Sequence, residues 1–493
     1  MKKIILFISL ILISYNGFSQ TCECLSNLKW LIETFEKNDA GFQYVIDKKG
    51  ENSYQVHNKL YSEKALVISD LNECHKLLND WTEFFRKNHL NVQLLSNKKN
   101  KKNEIKLTDK EIIEKYSNSE KYNIKKKKFN KYIKKLKNNE GFEGIWVSEP
   151  YTIGIIKDNI NPNREYVGFI INSQSPYWQD NQVKLEILKT KEGQYTMKFY
   201  MRDHSVHKFD KIEFYGKNYL IAGSGYIALK RVVSEKTNEI NIERYFKAIY
   251  SNKAFLEKVS NNTVLLRIPS FRSSNKALID SILDSNDKLI RNTENLIIDL
   301  RYNGGGDDGS FANITPYYYT NPIRIIGNAL LSTELNNKRM VGYMNNPDLS
   351  NDDKKWYKER VDRLNKHIGE FVNLNDNSVR IQTLKEIYPN PKSVAILINE
   401  KCGSTTEQFL LSAKQSTKVK LFGTTTLGSL DISNLYTVIS PTKKFKLWYG
   451  LSKSYRIPEM LIDEKGIQPD YYFDNEIKPY EWIDKTIEIL NNK

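Results

Sequence analysis

The sequence predicts a multidomain α/β protein, on three observations. From Ile240 to the end, apolar strand-like runs alternate with segments of helical period, the pattern of layered α/β folds. From Gly141 to about Val233 the runs are short and alternating, with turn residues between them, which marks an antiparallel β module. Residues 21–96 carry apolar positions at helical spacing. The chain has 493 residues, room for several domains, and 40% of them are hydrophobic, enough to build large cores.

Residues 1–20 open with Lys2 and Lys3, continue as an apolar run from Ile4 to Ile13, and end in polar residues. This is the pattern of a secretory signal peptide, and the run is too short to span a bilayer. Cleavage is expected near Gln20. Ser19, Gln20 and Thr21 do not form a lipobox before Cys22, so an exported, soluble protein of the periplasm or extracellular space is expected. Residues 21–96 form a helical domain. Leu28, Leu31, Ile32 and Phe35 share one face, and Leu71, Cys74, Leu78, Trp81 and Phe85 repeat the period before a strand-like stretch at 91–95. Residues 97–140 are a lysine-rich linker or helix.

The β module covers 141–234, with strands expected at 166–171, 183–187, 195–200 and 219–222, and should close as a barrel or sandwich. Its Glu143, Gly144, Ile145 and Trp146 resemble the opening of lipocalin-like barrels. In 235–493, strands are expected at 263–268, 296–300, 393–398 and 419–422, and helices at 275–291 and 404–416. A polar insertion at 311–391, with a helix at 352–371, is placed to cover a site as a strap.

Four cysteines are present, Cys22, Cys24, Cys74 and Cys402. Export permits a disulfide, and Cys74 is expected to pair with Cys22 or Cys24, clamping two N-terminal helices. Cys402 reads as a small buried packing residue. The net charge of +16 comes largely from 97–137 and describes a solvated lysine-rich stretch; export argues against a nucleic-acid partner. His204 and His207 lack the further ligands a metal needs, so neither metal nor cofactor is expected.

Two segments carry chemistry. The apolar run Val394 to Ile398 ends in a polar turn, then Gly403 and Ser404, then a helix. A serine between a strand end and a helix start meets free N–H groups and a partial positive charge, which suit an acyl-transfer oxyanion. Ser404 with Glu407 three residues on is also a capping box, so the stretch alone allows both roles. The second segment runs from Asn295 through Asp299, Leu300, Arg301, Tyr302 and Asn303 into Gly304, Gly305 and Gly306. Three glycines let the backbone approach a ligand closely and aim N–H groups outward.

Together these segments resemble the C-terminal processing (tail-specific) serine peptidases. In that family a D-L-R-x-N-x-G-G turn precedes a small-residue serine turn three residues ahead of a glutamate, matched here by 299–305 and by 403–407. A late I-E-G-x-G-I-x-P-D segment is matched by 462–470. The resemblance implies a crotonase-like ββα core and Ser404 as nucleophile. It implies oxyanion donors at Thr405 and at Gly304 or Gly305. Many members use a lysine base in G-x-x-x-x-G-K, but the aligned 423–429 ends in Ser429. The tricorn-like branch uses a histidine instead. His89, with its preceding Phe84 and Phe85, resembles that branch's F-F-x-D-x-H-L segment, and Asp463 matches the acidic residue that orients the histidine. Asp431 and Ser429 are supporting or substrate-contacting candidates, and Asp299 and Arg301 brace the glycine turn. No PDZ pattern is evident. The expected activity is serine-type endopeptidase on peptide or protein substrates, without cofactor or membrane span; the alternative is an inactive peptidase-fold protein that binds peptide or another ligand.

Overall fold

The computed structural model describes residues 23–95, 108–136, 141–223, 225–232, 239–375 and 377–492. The expected signal peptide, Cys22 and part of the lysine-rich segment lie outside them. The chain divides into two compact units, one of residues 1–97 and 252–474, the other of 98–251 and 475–493.

The first unit is built on a six-stranded sheet in the order Phe255–Ser260, Thr263–Arg267, Asn295–Asp299, Ser393–Ile398, Val419–Gly423, Tyr471–Tyr472. The first pair is antiparallel and the others are parallel. The central strands read as continuous apolar runs because both faces are covered. Leu296, Ile298, Ile396 and Leu421 pack with Ile279 and Leu283 of helix Ser273–Arg291 and with Phe409 and Leu410 of helix Thr405–Ala413. In a parallel sheet of this kind the C-terminal strand ends are where ligands bind. Both chemical segments of the sequence leave the sheet at those ends.

The same unit holds the N-terminal helices Cys24–Asn38, Phe42–Lys49, Glu51–Leu66 and Leu71–Thr82. A Cys24–Cys74 disulfide, with Cα atoms 5.5 Å apart, joins the first to the last, so the expected clamp is present with Cys24 as the partner. Phe35, Trp81 and Phe85 pack against Leu447 and Tyr449 of strand Phe445–Ser454. Strand Asn91–Leu94 then pairs antiparallel with that strand, which brings the segment after Thr82 to the site.

The region 311–391 contains more than one helix. Strands Ile323–Ile326 and Val379–Gln382 pair, Asn328–Leu331 joins the sheet of Phe445–Ser454, and helices Glu334–Met344 and Asn351–Asn365 follow. The expected helix at 352–371 stops at Asn365. His367 N–H turns back to the Leu364 carbonyl at 2.9 Å, and Phe371–Val372 is a short strand paired with Leu330 and Leu331.

The second unit is a nine-stranded antiparallel sheet. The strands from Gly144–Ser148 to Val206–Phe209 run in sequence, and Ile227–Arg231 joins the other side of Gly144–Ser148. Trp146, Ile153, Leu185, Met197 and Leu229 fill one face. His204 is packed as a structural ring. It stacks between Trp178 and Tyr116 at 3.9 and 4.2 Å, and its nitrogens meet the Tyr177 carbonyl and Ser119 Oγ.

Candidate active site

Strand Asn295–Asp299 ends on a buried charge cluster. Arg301 holds the Asp299 carboxylate through Nε and Nη2 at 2.9 and 2.8 Å. Arg267, fully buried beside them, donates to the Asp299 and Arg301 carbonyls at 3.0 and 2.7 Å. Burial pushes the Asp299 carboxyl up, but the two guanidiniums outweigh it and its net shift is downward. This cluster fixes the exit of the strand. Asn303, also buried, then stitches two turns together: its Nδ2 donates to the Ile268 carbonyl, and its own carbonyl accepts from Gly403 N–H and Thr406 Oγ1.

Gly305 has φ +102°, and a Cβ there would lie 2.8 Å from Ser404 Cβ and 2.9 Å from Thr405 N. Only glycine lets the turn lie against the serine this closely. Ser404 itself has φ 57° and ψ −124°, a sparsely populated conformation for a residue with a side chain, at the N-cap of helix Thr405–Ala413. Its N–H donates to the Ser429 carbonyl at 3.0 Å and to Glu407 Oε2 at 3.2 Å. The buried Glu407 carboxylate also accepts from Thr426 Oγ1, Gly428 N–H and Ser429 N–H at 2.6, 2.7 and 2.8 Å. Burial raises its pKa, against these hydrogen bonds. Glu407 therefore does more than cap a helix: it ties the serine turn to the loop that holds Ser429. That loop is latched in turn by the late segment, where Ile467 N–H donates to Thr426 Oγ1 at 2.7 Å.

His89 also adopts positive φ, 55°. Its Nδ1 lies 2.7 Å from the Ile432 carbonyl. A carbonyl only accepts, so Nδ1 carries the proton and Nε2 presents its lone pair. Burial, with Arg86 adding to it and the Ile432 bond opposing, lowers its pKa and favours the neutral ring. Arg86, paired with the buried Asp39, donates to the His89 carbonyl at 3.2 Å and pins the turn.

Asp463 does not touch the histidine as the sequence suggested. Its Oδ1 accepts from the Leu430 and Asp431 N–H groups at 2.6 and 2.7 Å, and its Oδ2 from Ile432 N–H at 3.1 Å. A carboxylate already filled by three backbone donors leaves the imidazole to the Ile432 carbonyl, so Asp463 orients His89 at one remove. Asp431 is likewise structural. It is fully buried, pairs with Arg456 Nε at 2.8 Å, and accepts from the Ile462 and Asp463 N–H groups. The buried Ser429 contributes backbone groups to the Glu407 network.

His89, Ser404, Thr405 and Gly306 line one cavity of about 500 Å³, within the usual size of ligand sites. Ile326, Gly327, Asn328 and Arg339 of the 311–391 region form part of its wall. Of the expected oxyanion donors, Gly305 N–H is engaged by Asn303 Oδ1 at 3.0 Å. Thr405 N–H and Gly304 N–H have no hydrogen-bond partner among the described residues, and neither has Gly306 N–H, which sequence reasoning did not single out. Sequence reasoning also passed over Arg86, Arg267 and Arg339, whose roles depend on partners remote in the chain.

The strand-end serine thus sits on a strained helix cap, packed on a glycine turn. The sequence model of peptidase family S41 matches residues 262–473. Over this segment, somewhat under half of the chain, the sequence is similar to the S41 peptidases, the family of C-terminal processing enzymes. The structure of mature CPAF complexed with lactacystin is similar at a TM-score of 0.52 and 13% identity, over 96% of this chain and 99% of that one. Mature CPAF alone gives 0.51 at 12% identity, over 96% and 98%. At these identities the likeness is one of fold. No curated protein matches the sequence.

Proposed function

We propose that this chain is an exported serine endopeptidase in which Ser404 attacks the scissile carbonyl and His89 Nε2 takes its proton. The tetrahedral oxyanion is held by Thr405 N–H and an N–H of the glycine turn, and water then hydrolyses the acyl-enzyme on Ser404 with His89 returning the proton. The observation that carries this reading is the shared cavity. It brings a strained helix-cap serine together with a histidine whose Nδ1 is committed to the Ile432 carbonyl. The position of the family's lysine base is Ser429, whose N–H serves Glu407, so the base has to come from elsewhere. Export is supported by the signal-like residues 1–20 and by the Cys24–Cys74 disulfide, which belongs to oxidising compartments.

A fluorophosphonate probe tests the reading. It should label Ser404 in the wild-type protein and leave Ser404→Ala unlabelled. His89→Ala should slow labelling by about 10²–10⁴-fold, the usual worth of a general base. A folded wild-type protein that takes no label would instead be a peptidase-fold binding protein.

A further inference from the structure

Arg339 stands apart from the other charges of the cavity. It sits half-buried on helix Glu334–Met344 and lines the same cavity as Ser404 and His89. Its Nη1 donates to Asn434 Oδ1 at 3.2 Å, and the Tyr343 ring lies 5.4 Å from the guanidinium carbon. Asn434 is itself positioned, with φ 55° and its Nδ2 bound to Ser452 Oγ at 2.8 Å. Among the described residues Arg339 has no acidic partner. Arg456, the other arginine of the cavity, is neutralised by Asp431 at 2.8 Å. The cavity's carboxylates, Asp307 and Asp308, lie beside the glycine turn and Thr405, where burial raises the Asp308 pKa and Arg456 and Arg380 oppose the rise. The cavity is thus polarised, with acids by the oxyanion donors and one oriented cation on the insertion wall. A partly desolvated guanidinium without a counter-charge is costly unless a ligand supplies one, and its planar fork matches a carboxylate.

Resting on the peptidase reading of this site, we propose that Arg339 selects substrates by binding a carboxylate close to the scissile bond. A cavity of about 500 Å³ is roughly 8 Å across. That is about two residues of extended chain, so the carboxylate belongs to a residue no farther than that from the bond cleaved. An acidic side chain and the substrate's own C-terminal carboxylate offer the same chemistry, and the test separates them.

The wild-type protein is given alanine-rich octapeptides with one Glu, Gln or Lys moved through the sequence, each with an amidated end, and a neutral peptide with a free or amidated end. Cleavage is followed by mass spectrometry. The expected result is a ratio of kcat/KM of at least about tenfold, either for Glu over Gln near the cleaved bond or for the free over the amidated end. The first identifies a side-chain carboxylate and the second a terminal one. Arg339→Gln should bring that ratio to about one, and Arg339→Glu should reverse it in favour of Lys peptides, a reversal that misfolding cannot produce. A wild-type ratio near one, or a ratio that survives in Arg339→Gln, overturns the inference. If wild-type protein cleaves with no such preference, only the role of Arg339 falls. If it neither cleaves nor takes a fluorophosphonate label at Ser404, the peptidase reading falls with it.

Discussion

Ser404 is held in a conformation that its proposed role as nucleophile accounts for and stability does not. At φ 57° and ψ −124° its side chain is strained, and such backbone costs about 1–3 kcal/mol. Ser404→Gly relieves that strain, so urea unfolding should show a gain of about 1 kcal/mol while peptide hydrolysis disappears. A loss of stability would mean that the serine hydroxyl is needed to hold the turn. His89 gives a second prediction at this scale. Only the neutral imidazole can accept the serine proton, and burial sets its pKa below the ordinary 6.5. Activity should therefore be full at neutral pH and fall as the pH drops through that lowered value. A profile of kcat/KM against pH should show its acid limb below 6.5, whereas an inflection well above it would point to another base.

Among the elements, the glycine turn and the serine turn act as one piece. A methyl on Gly305 would meet Gly403 O, Ser404 Cβ and Thr405 N within 2.9 Å at positive φ. Gly305→Ala should therefore cost about 2–3 kcal/mol and most of the activity, because the two turns cannot part without unseating Asn303. Stability from thermal unfolding and rates on the same sample check it, and a variant of unchanged activity would show that the turns are not coupled. These turns were legible because their signals are local: consecutive glycines after an apolar strand, and a serine before a helical period. The strands 263–268 and 393–398 and the helix 275–291 were legible for the same reason. What the sequence hid is what other elements supply. Glu407 looks like a helix cap from its spacing, yet three of its four donors come from the loop 426–429. Asp463 looked like the partner of His89, but the histidine's bond goes to a backbone carbonyl, Ile432, which no side-chain pattern can announce. The break at Asn365 in the insertion depends on pairing between Phe371–Val372 and Leu330–Leu331, a contact remote in sequence.

On the scale of the first unit, the proposed base His89 and the proposed nucleophile Ser404 come from distant parts of the chain, and the N-terminal helices lead to His89. The helix Cys24–Asn38 runs directly into Asp39, whose carboxylate accepts from Gly41 and Gly450 N–H groups at 2.8 and 3.2 Å and pairs with Arg86. Arg86 holds the carbonyl of His89. The Cys24–Cys74 bond ties that helix to Leu71–Thr82, which leads to the His89 turn, and so fixes both approaches to His89. Closing a loop with a sequence separation of 50 restrains the unfolded chain by about 4 kcal/mol in the chain-entropy model. Cys74→Ala should accordingly lower stability by a few kcal/mol, and loosen His89 before it disturbs Ser404, whose turn is braced by Asn303 and Glu407 on the central sheet. At a temperature where the variant is still folded, kcat should fall while KM moves little, fluorophosphonate labelling should slow, and hydrogen exchange should quicken in 24–90 but not in 393–413. If exchange quickens in 24–90 and labelling keeps its wild-type rate, the helices do not position the base and the Asp39–Arg86 pair holds the histidine turn alone.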